Sequence, residues 1–461
     1  MTSSDNVPAT PGAGANDSDP ARNTNETASA AEQEVVQLCS ELIRIDSVNT
    51  GDPATIGDGE TRAARYIQAK LEEVGFETTF IEGVPGRGNV FCRLPGADPD
   101  RGALLLHGHV DVVPADPAEW TVDPFSGAVQ DGYVWGRGAV DMKDMLAMII
   151  AVARDFKRTG YVPPRDIIFA FMSDEEAGGN FGSQWLVDTH PDLFTDATEA
   201  VSEVGGFSIS LGDDQRAYLV AAAEKGVAWA TLKATGRAGH GSFTNDNNAV
   251  SRIAQAVAAL GSYEFPIIHT ATVDALLSSL TELTGMEFPE DDLESAVAKI
   301  GSVSRIVNAT LRNTANPTML KAGYKANVIP STAQATVDCR VLPGSEDTFR
   351  ELVAEIVGDE IEIDWVWQPP LEFPFEGDLV EAMKAALQTE DPNGRAVPYM
   401  LSGGTDNKAF ARLGIAGYGF APLRLPPDLD FAALFHGVDE RVPVDSLLFG
   451  TRVLDRLLRT C

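Results

Sequence analysis

The chain has 461 residues, of which 44% are hydrophobic, so it is long enough for two or three domains with a large core. Its 68 acidic residues against 35 basic ones give a net charge of −33, which argues against nucleic-acid and anionic-membrane partners and favours a highly soluble protein. No apolar run approaches the roughly 18 residues that span a membrane. Four cysteines without CxxC spacing predict free thiols in a reducing cytoplasm.

The amino-terminal part of the chain differs from the rest. Residues 1–30 consist mostly of Ser, Thr, Asn, Asp, Ala, Gly and Pro, and they cannot bury enough apolar surface to offset the entropy of ordering. This composition predicts a disordered tail, and the stretch lacks the apolar and basic regions of a secretory signal. Residues 31–47 and 59–75 then carry apolar side chains at helical spacing, which predicts two helices.

Strands alternate with helices over the next hundred residues. Short apolar runs at 77–81, 89–94 and 103–106 predict strands, residues 142–156 predict a helix, and residues 166–172 predict a further strand. The unbroken apolar character of the third and last strands is typical of strands buried on both faces. The order of these elements predicts an α/β fold, with helices on both sides of a mixed sheet.

The pattern changes after residue 224. Residues 227–234 and 328–341 alternate between apolar and polar, as half-exposed antiparallel strands do, and residues 248–260 have helical spacing. These features predict an α+β sandwich with one open sheet face. A helix at 379–387 follows the prolines at 369 and 370 and returns to the first pattern.

These changes predict a division into domains. We expect a discontinuous catalytic domain of residues 31–224 and 371–461, with a lid or dimerisation domain inserted at residues 225–370. The pattern of residues 264–320 predicts no particular fold.

Acidic and histidine side chains stand where predicted strands end. His109 and Asp111 follow a buried strand and lie two residues apart, so an extended backbone would place them on one face. Asp111 could then accept the second ring N–H of a metal-bound His109, although a histidine satisfied by a local carboxylate without metal is also compatible. Asp141 precedes a helix, where it could be either an N-cap or a carboxylate that bridges two cations.

Three further acids and one histidine extend the set. Glu175 and Glu176 follow the strand at 166–172, so one of them could bind a metal while the other moves a proton. Glu203 precedes paired glycines and His436 lies in a polar stretch; alone, each is equally compatible with a surface turn. Taken together, these residues predict a pair of metal sites and a dinuclear metallohydrolase.

The motifs resemble the M20 metallopeptidase family, which contains aminoacylases, glutamate carboxypeptidases, succinyl-diaminopimelate desuccinylase and acetylornithine deacetylase. The matching pieces stand in family order: His-x-Asp-x-Val-Pro at 109–114, Gly-Arg-Gly-x-x-Asp-x-Lys at 136–143, Glu-Glu at 175–176, Glu203 and His436. The resemblance covers nearly everything from residue 31 onwards and implies a zinc-peptidase-like catalytic domain.

The resemblance implies a role for each matched residue. His109 and Glu203 would bind one divalent ion, Glu176 and His436 the other, and Asp141 would bridge them. Zinc is the expected metal, with cobalt or manganese as alternatives. Glu175 would be the general base on a metal-bridging water, with Asp111 supporting it. The family often has a cis peptide after the bridging Asp, which here would join Asp141 to Met142.

The resemblance extends to the inserted domain and to a late loop. His240, in Gly236–Ser242, matches a lid histidine that polarises the scissile carbonyl, often in the partner subunit of a homodimer. Asn327 and Arg340 match a pair that binds a substrate carboxylate, for which the Arg fork is suited. Gly403, Gly404 and Thr405 match a substrate loop. The span from His240 to Asn327 is longer than in compact members.

The resemblance implies hydrolysis of an amide or peptide bond next to a free carboxylate, in N-acyl amino acids or short peptides. Carboxypeptidase or aminoacylase activity fits slightly better than desuccinylase or deacetylase activity. A non-catalytic metal-binding scaffold is the alternative from another class, but the proposed base and all five ligands are present. A serine hydrolase that uses Ser402 lacks the G-x-S-x-G turn of such enzymes.

Overall fold

The computed structural model describes residues 28–212 and 214–461. The predicted tail over residues 1–30 therefore lies outside the described residues, apart from its last three. The α-helices are α1 (Ala30–Ile43), α2 (Gly59–Glu72), α3 (Lys143–Thr159), α4 (Ser183–Thr189), α5 (Ala249–Gly261), α6 (Ala271–Thr284), α7 (Leu293–Val297), α8 (Ser304–Thr310), α9 (Glu346–Val357), α10 (Asp378–Glu390), α11 (Asn407–Ala411) and α12 (Val444–Thr460).

The strands form one large sheet, one small sheet and two short additional sheets. They are β1 (Thr78–Glu82), β2 (Gly88–Leu94), β3 (Ala103–His109), β4 (Ala128–Gln130), β5 (Tyr133–Trp135), β6 (Ile167–Met172), β7 (Ala197–Ser202), β8 (Phe207–Ser210), β9 (Arg216–Glu224), β10 (Gly226–Thr235), β11 (Gly239–His240), β12 (Thr314–Ala322), β13 (Val328–Ile329), β14 (Thr332–Val341), β15 (Ile361–Gln368), β16 (Leu371–Glu372), β17 (Gly394–Leu401), β18 (Ala416–Gly419) and β19 (Arg441–Pro443).

The large sheet is mixed and covered on both faces. Its strand order is β1-β2-β6-β3-β7-β18-β9-β16, and β8 and β17 also pair with β9. Along β3, Leu104 and Leu106 join the core built with α1, α3 and α12, whereas Leu105 joins the core built with α4 and α11. The unbroken apolar run therefore serves two cores, because successive side chains of a strand point to opposite faces. The predicted α/β fold with helices on both sides is confirmed.

The small sheet is antiparallel, in the order β12-β14-β10-β15. Ala228 and Ala230 of β10 pack under helices α5 and α9, while Trp229 between them is exposed on the other face. This is the half-open arrangement that the alternating pattern predicts. The predicted strand over 328–341 is interrupted at Pro330, which has no N–H to donate to a ladder.

Residues 268–311 leave the small sheet and return to it. Ile268 donates its main-chain N–H to the oxygen of Leu311, so both ends of the excursion lie side by side. Between them, Val273, Leu276 and Leu280 of α6 belong to the core of the large sheet. The excursion therefore spans both sheets, and the division of the chain at residues 225 and 370 stays a prediction.

Among the residues that the structure describes, none of the helices combines the length and the apolar character needed to cross a membrane.

Candidate dinuclear metal centre

Three neighbouring strands of the large sheet deliver polar side chains to the same edge. His109 is the last residue of β3, Glu175 and Glu176 follow β6, and Glu203 follows β7. Strands β6, β3 and β7 are adjacent and mutually parallel, so their carboxyl ends lie side by side. This is the edge at which open α/β sheets bind ligands.

The remaining two predicted ligands come from loops. Asp141 immediately precedes Met142 and helix α3, and the Asp141–Met142 peptide bond is cis, as the family resemblance implies. His436 lies in the loop before β19, with a positive φ of 56°. Both loops meet the strand ends, although His436 and His109 are more than three hundred positions apart in the sequence.

The five side chains form two groups that share one carboxylate. Nε2 of His109 lies 3.1 Å from Oδ1 of Asp141 and 3.3 Å from Oε2 of Glu203. Nε2 of His436 lies 3.2 Å from Oδ2 of Asp141 and 3.2 Å from Oε2 of Glu176. Each group brings its candidate ligand atoms within 4.8 Å of one another. Asp141 thus presents one oxygen to each group, which is the placement a bridging ligand requires.

The donor set fits divalent cations. Each group offers one imidazole nitrogen and two carboxylate oxygens, a combination that suits zinc. Oε1 of Glu176 is buried and has no hydrogen-bond partner within the described part of the chain. A buried carboxylate oxygen without a donor is costly unless a cation neutralises it. These observations support two metal ions at the two groups.

The pKa shifts show how the acids crowd each other. Burial raises the pKa of Glu175 well above its usual value, and the nearby Glu203 raises it further. Burial alone would lower the pKa of His109, but the carboxylates of Glu203 and Asp141 outweigh burial and raise it. The cavity therefore strongly favours positive charge at this edge of the sheet.

Asp111 contacts a different partner from the one predicted. Nδ1 of His109 lies 2.9 Å from the main-chain oxygen of Asp111 and 3.6 Å from its carboxylate, so the expected ring–carboxylate bond is wrong in that detail. The carboxylate instead accepts the main-chain N–H groups of Glu175 and Glu176, at 3.1 and 3.0 Å. Because both oxygens of Asp111 are used in this way, its side chain holds the Glu-Glu turn.

Glu440 is an important residue that the sequence did not single out. Its buried carboxylate accepts hydrogen bonds from the main-chain N–H groups of Gly138, Val140 and Asp141 and from the Arg137 guanidinium. Glu440 therefore links the loop that carries Asp141 to its own loop, which carries His436. A single acid four residues after a histidine carries no recognisable pattern, so only the fold could identify it.

A cavity of about 690 Å³ lies over the two groups. Arg340 and the loop residues Gly403, Gly404 and Thr405 line it together with the metal-site acids, and their role in substrate binding stays a prediction. Arg340 is paired with Asp338, with Nε 2.7 Å from Oδ1. Thr405 donates its main-chain N–H to Glu224, so that donor is already used and the loop is held in place.

His240 and Asn327 are not among the described residues that line this cavity. His240, in β11, pairs with Val328 of β13, next to Asn327, and its Nδ1 lies 2.8 Å from Oγ of Ser242. The structure therefore brings these two predicted residues together, but on an exposed part of the chain outside the cavity lining. Their roles in carbonyl polarisation and carboxylate binding stay predictions.

Comparison with known proteins places this geometry in a family. The model of the peptidase family M20/M25/M40 matches residues 105–460. The chain belongs to that family. Aminoacylase-1 of Sus scrofa is 26% identical to it over 415 residues, covering 86% of this chain and 89% of the relative. The N-fatty-acyl-amino acid synthase/hydrolase PM20D1 of Homo sapiens is 29% identical over 405 residues, covering 83% and 78%.

The fold agrees with that assignment. The M20 family metallo-carboxypeptidase Sso-CP2 of Sulfolobus solfataricus superposes with a TM-score of 0.69 at 18% identity, covering 93% of this chain and 99% of that one. The resemblance stated from the motifs is confirmed, and this M20 protein is a metal-dependent hydrolase of peptide or amide bonds.

Proposed function

We propose that this M20 protein hydrolyses the amide bond of N-acyl amino acids or short peptides next to a free carboxylate. The observation that carries the proposal is a cavity in which two potential metal groups, an acid beside them and Arg340 face one space. The names of aminoacylase-1 and of the N-fatty-acyl-amino acid synthase/hydrolase support the same substrate class.

The metal ligands in this proposal are His109 and Glu203 for one ion, Glu176 and His436 for the other, and Asp141 between them. Two bound cations would act as Lewis acids on the scissile carbonyl and lower the pKa of the attacking water. The mixture of imidazole and carboxylate donors favours zinc, with cobalt or manganese as substitutes.

Glu175 is the proposed general base. It lines the cavity beside both groups but belongs to neither. Burial raises the pKa of its carboxyl group, and a carboxylate with a raised pKa accepts a proton more readily at neutral pH. Glu175 would take a proton from the attacking water and deliver it to the leaving nitrogen, while Asp111 fixes its main chain.

Arg340 would bind the substrate carboxylate. Its guanidinium already forms a two-point pair with Asp338, so the substrate would have to share or displace that partner. Five donors on one planar group allow such sharing. Gly403 and Gly404 lie on the same cavity wall and could hold the anionic end through their main-chain N–H groups.

The test is substitution of the base. We expect Glu175→Gln to keep two metal ions per chain, measured by elemental analysis, and to lose about 10²–10⁴-fold in kcat on N-acyl amino acids. Glu77→Gln, at an exposed position, is the matched control and should behave as wild type. Retained turnover in the Glu175 variant would refute the proposed base, and resistance of the wild-type activity to chelators would refute the metal requirement.

We also infer a cytoplasmic location and a homodimer formed through the small sheet. The four cysteines are unpaired and buried, which suits a reducing compartment. Met319, Leu320 and Tyr324, on and beside the edge strand β12, are 68%, 59% and 83% exposed and offer an apolar surface for a partner. Sedimentation of the full chain tests the assembly state, and a monomer would refute the dimer.

A further inference from the structure

An apolar patch faces the metal-site cavity from the open side of the small sheet. Trp229 of β10 and Val366 of β15 are opposite partners, and they are 47% and 62% exposed. Both line the cavity. Large apolar side chains that stay exposed inside a concave site are typical of ligand-binding surfaces.

Beyond this pair, the same face of strands β10 and β15 is polar. Further along β10, Thr231 lies opposite Asp364, and Lys233 forms an ion pair with the same aspartate. Along β10 and β15, the apolar pair is thus confined to the end of the face that borders the cavity. Trp229 and Val366 line the same cavity as the metal-site acids, which favours a group of the substrate as the occupant of the apolar pair. A protein partner would cover a wider area.

The strand register sets the patch beside Arg340. Arg340 of β14 lies opposite Val227, two residues before Trp229, so Arg340 and Trp229 are diagonal neighbours on one face. Such neighbours are about 7–8 Å apart. In an amino acid, the carboxylate and the side chain branch from the same carbon. A substrate whose carboxylate is bound by Arg340 can therefore extend its side chain over Trp229.

The excursion of residues 268–311 supplies a further part of the lining. Ile306 of α8 lines the same cavity. The helix is held by Lys225, whose Nζ donates to the main-chain oxygens of Ala309 and Arg312 at 2.9 and 2.6 Å. Arg305, next to Ile306, pairs with Asp430 at 2.8 Å, close to the loop that carries His436. These contacts fix Ile306 in the cavity lining.

We infer that Trp229, Val366 and Ile306 form a subsite for a bulky apolar side chain on the amino acid whose carboxylate Arg340 binds. The inference rests on the proposed function and narrows its substrates. Derivatives of leucine, methionine and phenylalanine are preferred over those of glycine.

The test compares two ratios of kcat/KM in wild type, Trp229→Ala, Trp229→Phe and Val162→Ala. Val162 is a matched control, since it is 55% exposed and does not line the cavity. The first ratio is N-acetyl-leucine over N-acetylglycine, and it reports the amino-acid side chain. The second is N-octanoylglycine over N-acetylglycine, and it reports the acyl chain. Zinc is present throughout, and circular dichroism checks the fold.

We expect the leucine-to-glycine ratio to fall about tenfold in Trp229→Ala, mainly through KM, because much of the contact area of one side chain is lost. Trp229→Phe should recover most of the ratio, and Val162→Ala should leave it at the wild-type value. The octanoyl-to-acetyl ratio should change by less than about twofold in every variant.

An unchanged leucine-to-glycine ratio in Trp229→Ala overturns the subsite. So does a fall in the octanoyl-to-acetyl ratio alone, which would assign the patch to the acyl chain. Failure of the proposed function is distinguished by a wild-type protein that hydrolyses none of these substrates. Binding of N-acetyl-leucine to Glu175→Gln, with and without Trp229→Ala, then decides the subsite without turnover: equal affinities overturn it.

Discussion

Replacing Glu440 by Gln should weaken metal binding, although Glu440 is not one of the proposed ligands. One carboxylate oxygen accepts hydrogen bonds from the main-chain N–H groups of Val140 and Asp141, at 2.7 and 3.2 Å. The other accepts hydrogen bonds from the Arg137 guanidinium and the main-chain N–H group of Gly138, at 2.6 and 3.1 Å. An amide retains only one acceptor oxygen and turns its NH₂ group towards the other two donors. The Asp141 loop would then lose half of its support.

The magnitude follows from burial. Glu440 is fully buried and Arg137 nearly so. Two unpaired buried donors cost about 1–3 kcal/mol each, and removal of one partner of a buried ion pair costs about 3–5 kcal/mol. The two ranges overlap, so we expect the free energy of unfolding to fall by about 3–5 kcal/mol. Lost support of a metal ligand typically lowers metal affinity about 10–100-fold.

The assay is competition for zinc between the protein and a chromophoric chelator, at a temperature where circular dichroism shows a folded variant. Glu199→Gln is the control, because Glu199 also pairs with a buried arginine, Arg165, but lies at the start of β7 away from the cavity. We expect the control to lose stability without losing metal affinity. Wild-type zinc affinity in a folded Glu440→Gln variant would refute the reasoning.

Three further predictions concern metal, base and pH. Removal of the cations with a chelator should lower the melting temperature reversibly, since a ligand at one hundred times its Kd contributes about 2.7 kcal/mol per site; an unchanged melting temperature would argue against bound metal. Asp111→Asn should lower kcat about 10–100-fold with little change in KM, because the Glu-Glu turn loses an acceptor; a change in KM alone would contradict this. Burial raises the pKa of Asp391, but the hydrogen bonds from Arg216 and Tyr218 outweigh it and lower the pKa below its usual value. The stabilisation is therefore complete above the unfolded pKa of about 3.9 and is lost as the pH falls through the lower, folded value. Unfolding of Asp391→Asn and wild type should accordingly differ most at neutral pH and converge in acid, and a constant difference across pH would refute the assignment.

Local patterns predicted the parts of the site that follow strands. An unbroken apolar strand followed by an acid or a histidine identified His109, Glu175 and Glu176, because strand ends in such sheets gather at one edge. The pattern of residues 227–234 likewise predicted β10 almost to the residue. These predictions succeed because side-chain alternation and burial are properties of a few neighbouring residues.

Contacts between distant segments were not predictable in this way. Glu440 contacts residues about three hundred positions earlier in the chain, and no spacing rule connects them. The apolar side of α6 packs on the large sheet, although its neighbours in sequence belong to the small one. Asp111 was assigned to the imidazole because its spacing allows that contact. In the structure, the carboxylate oxygens of Asp111 instead accept hydrogen bonds from the main-chain N–H groups of Glu175 and Glu176, and this contact depends on the three-dimensional turn.

The hydrogen bond between Ile268 and Leu311 means that the intervening stretch begins and ends at one point. Lengthening or shortening such a loop changes the closure entropy only slowly, by about 0.6 kcal/mol for each doubling of its length. The exposed parts of this stretch can therefore vary in length at little entropic cost, and so alter the rim of the cavity, provided that Val273, Leu276 and Leu280 of α6 keep their places in the core of the large sheet.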